Sequence, residues 1–242
     1  MLIPIKDNNP RRRVGFPYVT VGLILSCILV FVWQSTLGSE VGQRVAYAFG
    51  AIPAVITGQY DPPKWAIVHP YATLLTSMFM HGDILHLLGN MLFLWVFGDN
   101  VEDACGHVRY LSFYLIAGVI ASLIYVFSDP GSTIPVIGAS GAVSAVLGAY
   151  LILHPRAKVV MMIFYGLFIT LPAVVVLSVW IGIQVFSVVA PSPAGVGVAW
   201  WAHIGGFFVG SILIVVFRRK GVPLLSRSTD PLPRHAIYPS RS

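Results

Sequence analysis

The sequence predicts an all-α membrane protein: a bundle of six transmembrane helices with a short central fourth helix and a long, structured first outer loop. Three observations carry this. Of the 242 residues, 57% are hydrophobic and only 10% are charged, whereas a soluble domain carries about 25% charged residues. The apolar residues fall into six runs near the ~20-residue length that a bilayer demands. Lys and Arg gather at one set of run ends, as they do on the cytoplasmic side of membrane proteins.

Taken in order, the first run (Tyr18 to Gln34) follows Arg11-Arg12-Arg13. No small-residue cleavage site comes after it, so it reads as an uncleaved signal anchor. The second (Tyr71 to Gly98) and third (Val108 to Phe127) are long enough to span. The fourth (Ala139 to Leu153) is short, and Gly148 weakens it as an isolated helix. The fifth (Val159 to Val189) is long and carries Pro172, which predicts a kink or tilt. The sixth (Trp200 to Phe217) opens on paired tryptophans, which favour the membrane interface. The first outer loop, Ser35 to Pro70, is too long for a turn. Its broken apolar stretch Val45 to Pro53 predicts an interfacial structure in the outer leaflet. The expected organisation is a basic cytoplasmic segment over 1–17, a membrane domain over 18–217, and a cytoplasmic tail over 218–242. The tail is rich in Pro, Ser and Arg and is expected to be disordered.

Orientation follows from the cations. Lys6, Arg11, Arg12, Arg13, Arg109, Arg156, Lys158, Arg218, Arg219 and Lys220 fall on one side of a six-span chain, against Arg44 and Lys64 on the other. Both termini are therefore expected in the cytoplasm. The net charge of +6 sits at run ends and not on one face, which excludes nucleic-acid binding as its purpose. Cys27 lies in the first run and Cys105 in a polar connector, so no disulfide is expected. Neither has metal-ligand spacing, and no cofactor or metal is expected.

The informative residues are polar ones where a membrane chain should have none: Ser140, His203, His86 and Asn90. A polar group stranded in hydrocarbon is costly unless it is paired or wet. At 1.5 Å of rise per helical residue, Ser140, His203 and His86 lie ~21, ~22 and ~20 Å from the cytoplasmic face, with Asn90 at ~14 Å. Three separate runs thus arrive at one depth, about 10 Å below the outer surface of a ~30 Å core. Gly141 and Gly148 in the fourth run, with Ala202, Gly206 and Gly210 in the sixth, recur at the spacing that lets helix backbones meet in membranes. That would draw Ser140 towards His203, the minimum parts of an activated nucleophile.

Gly138-Ala139-Ser140-Gly141 resembles the Gly-x-Ser-Gly signature of rhomboid intramembrane serine proteases. The run from Ala202 through His203, Gly206 and Gly210 resembles their Ala-His-x-x-Gly-x-x-x-Gly helix. The run from His81 through His86 to Asn90 resembles their second-helix motif. Three motifs in order on the expected helices are a specific match, covering Tyr18 to Phe217. The resemblance implies a bacterial-type enzyme in the cell (inner) membrane, with its active site opening to the extracytoplasmic side. It implies Ser140 as nucleophile and His203 as general base. His86, Asn90 and the Ser140 N–H would form the oxyanion hole, and transmembrane proteins would be the substrates. Two positions depart from the family. Ser144 stands where many members place an aromatic ring that stacks on the histidine, and Trp65 is followed by Ala66 where many carry arginine.

Blander roles are a capping serine for Ser140, an interhelical hydrogen bond for His203 and a structural polar network for His86 and Asn90. His81 is expected to support the loop, and Asp83 to be solvated. His69, His107, His154 and His235 are assigned nothing. Two other function classes are open: a proteolytically inactive rhomboid-like protein that binds membrane clients, and a small transporter. A transporter would call for an internal inverted repeat, and none is visible. Oligomeric state and natural substrate are not legible.

Overall fold

A computed structural model describes residues 3–164, 166–190 and 199–226. Strand β1 (Ile3–Asp7) precedes helices α1 (Tyr18–Ser35), α2 (Ser39–Phe49) and α3 (Pro53–Ile56). Next comes α4 (Thr73–Thr76), flanked by 3-10 turns at Pro70–Ala72 and Ser77–Phe79. The chain continues through α5 (Ile84–Cys105), α6 (His107–Ser128), α7 (Ser140–Leu153), β2 (Lys158–Phe164), β3 (Leu167–Pro172), α8 (Ala173–Val189) and α9 (Trp200–Phe217). Among the described residues, α1, α5, α6 and α9 are long and apolar enough to cross a membrane, and α7 and α8 are apolar but shorter. The outward faces are apolar too. Leu85, Val189 and Val216 are each more than three-quarters exposed, which suits a lipid surround rather than water.

Helix α7 is the axis of the bundle. Every residue from Gly141 to Tyr150 is buried, so its near-total apolarity is what a helix enclosed on all sides requires. Its 14 residues give a length of ~21 Å, short of a ~30 Å core. One end of α7 must therefore lie inside the bundle. Small residues set its closest contact. A Cβ at Gly206 would strike the Gly141 carbonyl, one at Gly210 the Ala145 carbonyl, and one at Gly148 the Phe207 carbonyl. The backbones of α7 and α9 touch because no side chain stands between them.

The opposite end of α7 reaches a polar cap built from the N-terminal segment. Pro17 gives α1 no side-chain cap, and Glu102 of α5 takes its place. Its carboxylate accepts from Val19 N–H at 3.0 Å, Thr20 N–H at 2.8 Å and the Thr20 hydroxyl at 2.7 Å, and it lies 2.6 Å from His107 Nδ1. Asp103 accepts from the N–H groups of Arg13 and Val14, each at 2.6 Å. Asp7 accepts from the Tyr150 hydroxyl at 2.5 Å and from Asn100 Nδ2 at 3.0 Å. Burial pushes the Asp7 carboxyl from 3.8 up to about 7, with the Tyr150 hydrogen bond opposing and Asp99 adding to the rise. Gly106, at φ +81°, turns α5 directly into α6 in a conformation that favours glycine.

Four sequence expectations are amended. The fifth run is not one kinked helix. Its first half forms the hairpin β2–β3, with Val159 opposite Leu171 and Met161 opposite Ile169, and Pro172 closes β3 and caps α8. A continuous apolar run does not by itself separate strand from helix, and the β-branched residues here favoured strand. β1 joins antiparallel to β2, with Ile3 opposite Met162 and Asp7 opposite Val159, so the N-terminal segment is part of the fold. The second span begins at Ile84 and not Tyr71, because His81-Gly82 breaks the run and Asp83 caps the new helix. The first outer loop is structured, as expected, with α2 and α3 inside it. Residues 218–226 fold back, Arg219 N–H bonding the Ala104 carbonyl and Ser226 N–H the Leu153 carbonyl. The disorder expected further on, over 227–242, lies outside the described residues. Cys27 and Cys105 are both free and buried.

Candidate active site

Ser140 is placed by a backbone that cannot be built from ordinary residues. Gly138 sits at φ +132°, and its N–H donates to the Ser77 carbonyl at 2.9 Å. Just before it, Val136 and Ala51 exchange both backbone hydrogen bonds, at 2.8 and 3.0 Å. The first outer loop thereby holds the approach to the serine. Ser140 is then the first residue of α7. Its N–H is one of the helix-start donors that have no partner within the helix, at the end where the dipole favours negative charge. The Ser144 hydroxyl donates to the Ser140 carbonyl at 2.6 Å, a bond one turn back along the helix.

His86 and Asn90 come from the first turns of α5. Asp83 is exposed, as expected, and from there it caps that helix by accepting from His86 N–H at 2.9 Å, as an N-cap aspartate does. Asn90 Nδ2 donates to the His86 carbonyl at 3.1 Å, which leaves its second N–H for another acceptor. A Cβ built on Gly138 would lie 2.7 Å from His86 Cε1 and 3.7 Å from Ser140 Oγ. The imidazole and the hydroxyl therefore flank the same bare glycine. His81 stands behind, 1% exposed, its ring edge-on to His86 with centroids 5.2 Å apart. Its backbone is gripped from α1, where Gln34 Oε1 accepts from His81 N–H at 3.2 Å and Gln34 Nε2 donates to the His81 carbonyl at 3.3 Å.

His203 is carried by the first turn of α9. A Cβ on Gly141 would lie 3.8 Å from Ala202 Cβ, so the residue after the serine abuts the residue before the histidine. The His203 ring has Trp200 at 5.9 Å, edge-on, and Trp180 of α8 at 6.2 Å, tilted. Its Nδ1 lies 2.7 Å from Gln184 Oε1.

A cavity of about 920 Å³ is lined by Ser140, His86, Asn90 and His203 together, and by Ser144 and Gln184 as well. The four sequence-selected polar residues thus converge from α5, α7 and α9 on one space. Ser140, His86 and His203 are partly exposed to it, and Asn90 is 7% exposed. Gly138 shapes the approach, Gly141, Gly206 and Gly210 let α7 and α9 meet, and His81 backs His86. Gln184 was not selected from the sequence. Its signal was present, since it is the amide in the otherwise apolar run Val185-Phe186 and Trp180-Ile181-Gly182-Ile183 around it, and a polar side chain at such a depth faces a bundle interior. No group of three or more His, Cys, Asp or Glu suited to a metal occurs among the described residues. The chemistry available is that of a hydroxyl, an imidazole and amide donors around one cavity.

The Rhomboid domain model matches residues 69–220, well over half of the chain. A presenilin-associated rhomboid-like protein A, mitochondrial, of Danio rerio is 32% identical over 166 residues, 66% of this chain and 40% of that protein. Rhomboid protein 1, mitochondrial, of Saccharomyces cerevisiae is 28% identical over 189 residues, 69% of this chain and 51% of that protein. RHOMBOID-like protein 12, mitochondrial, of Arabidopsis thaliana is 31% identical over 157 residues, 58% of this chain and 44% of that protein. The matches thus span about half or less of these relatives' lengths. All three are mitochondrial by name, so the bacterial type expected from the sequence has no support from them. With the domain matched across the three motifs and the helices that carry them, the chain belongs to the rhomboid family.

Proposed function

We propose that this protein is an intramembrane serine endopeptidase that hydrolyses peptide bonds in or near transmembrane segments of membrane proteins. The observation that carries the reading is the convergence of Ser140, His86, Asn90 and His203 on one cavity. Ser140 Oγ attacks the substrate carbonyl while His203 takes its proton, then passes that proton to the leaving amine. Negative charge on the carbonyl oxygen meets the Ser140 N–H, the free Asn90 N–H and the His86 ring. Losing one such donor typically costs ~10²–10³ in rate. Water then cleaves the acyl-enzyme by the same route in reverse.

The proposed setting is an integral membrane protein with both termini on the cation-rich side and the cavity opening on the other. Its partners are transmembrane substrates and the bilayer, with no nucleic acid, cofactor or metal. Co-expression with a reporter carrying a transmembrane segment tests the reading. Ser140→Ala and His203→Ala should each abolish cleavage while the protein still accumulates in the membrane. Cleavage at the parent rate by either variant would refute the dyad. A folded parent protein that cleaves nothing would favour the proteolytically inactive, client-binding alternative.

A further inference from the structure

Ser144 is small, so the imidazole must be held by something other than an aromatic ring on α7. The holding group comes from α8. Gln184 is 7% exposed and its Oε1 lies 2.7 Å from His203 Nδ1. The amide could in principle face the ring with oxygen or with nitrogen, and the two choices have opposite consequences. Facing it with oxygen requires a proton on Nδ1 and leaves Nε2 with a free lone pair. Facing it with nitrogen would put the lone pair on Nδ1 and the proton on Nε2, the wrong form for a base.

The Trp180 carbonyl decides between them. Gln184 Nε2 lies 3.4 Å from that carbonyl, a long bond but one to a group that can only accept. The NH₂ end must point to Trp180, so the oxygen end points to His203. The backbone of α8 thereby selects the side-chain orientation, and the side chain selects the tautomer. Trp180 contributes a second time, because its ring lies against both His203 and Phe207 and so shelves the imidazole on the α8 side.

We propose that Gln184 is the positioning residue of the Ser140–His203 pair, fixing the Nδ1-protonated form of His203 and aiming Nε2 at the cavity. This rests on the protease reading and deepens it. Gln184 takes the place that a carboxylate holds in a three-residue arrangement, without burying a charge that would need its own partner. It orients the base and supports the forming imidazolium by its dipole alone. It also ties α8 to α9, so the catalytic base is set by a helix that carries none of the other reacting groups.

The test uses the full-length protein in detergent, a fluorophosphonate probe and a fluorogenic transmembrane-segment peptide. It compares the parent with Ser140→Ala, Gln184→Leu and Gln184→Glu. A general base contributes ~10²–10⁴ in rate, and Gln184→Leu should forfeit about 10²-fold of this in kcat with KM little moved. Gln184→Glu, which keeps an acceptor oxygen in place, should recover most of the loss. The ¹⁵N spectrum of labelled His203 should show Nδ1–H in the parent and in Ser140→Ala, and a mixture in Gln184→Leu. Labelling of Gln184→Leu at the parent rate would overturn the proposal, as would an Nε2–H form of His203 in the parent. If the parent labels no faster than Ser140→Ala, the protease reading fails, and the His203 spectrum in Ser140→Ala still decides the role of Gln184. If Gln184→Leu does not fold, the spectrum of the parent and the rate of Gln184→Glu decide it.

Discussion

The two ends of α7 treat polar groups in opposite ways. At the Leu153 end, carboxylates are saturated: Glu102 is fully buried and holds four partners from α1 and α6. At the Ser140 end, the Ser140 hydroxyl, two imidazoles and the amides of Asn90 and Gln184 stand around a cavity of about 920 Å³, with the second Asn90 N–H to spare. A buried polar group with every bond made is structural, and one that keeps a free donor or lone pair facing a wet space is available for chemistry. On the proposed reading, one end of the fold is locked and the other is left open for chemistry.

That contrast makes separable predictions. The largest effect should come at the cavity. Ser140→Ala should cut cleavage by more than about 10³-fold with thermal unfolding in detergent unmoved, since only a hydroxyl is lost. A shifted unfolding temperature would mean that Ser140 holds the helices together as well. Next is the contact that joins the two ends. Gly206→Val places a side chain against the Gly141 backbone, where neither helix can yield cheaply. Both stability and cleavage should fall, by at least the 1–3 kcal/mol typical of overpacking.

At the locked end, Glu102→Ala should cost about 3–5 kcal/mol, because it strands donors of α1 in a buried site. The rate per folded molecule should stay near the parent's. A selective loss of rate with stability intact would break the division between the ends. The smallest effect concerns Asp7. Its carboxyl binds a proton more tightly folded, near pH 7, than unfolded, near 3.8. The folded state therefore loses stability as pH rises through that window and levels off above it. Asp7→Asn, which keeps an oxygen for Tyr150, should flatten this slope and unfold at higher temperature than the parent at pH 8. A parallel pH slope in both proteins would contradict the assignment.

How much of this was legible follows the same physics. Ser140, His203, His86 and Asn90 could be read because polar residues in apolar runs violate the solvent's rule, and the rise per residue gave them a common depth. The α7–α9 contact could be read because small residues recur every four positions. Gln184 obeyed the first rule and could have been found by it, but no motif pointed to it and its partner lies on another helix. The hairpin β2–β3 was hidden because apolar run length is shared by strand and helix. The pairing of Ile3 with Met162 and the reach of Glu102 to Thr20 join residues far apart in the chain, and nothing local encodes such partners. Asp83 carried a readable cap signal ahead of Ile84, but the apolar run from Tyr71 masked it.

Fluorophosphonate labelling of the purified protein reads most directly whether His203 activates Ser140 within one cavity, as proposed. A single adduct should form on the peptide containing Ser140, rapidly in the parent and slowed by about 10² or more in His203→Ala. Labelling of that peptide at equal rates with and without the imidazole would contradict that activation.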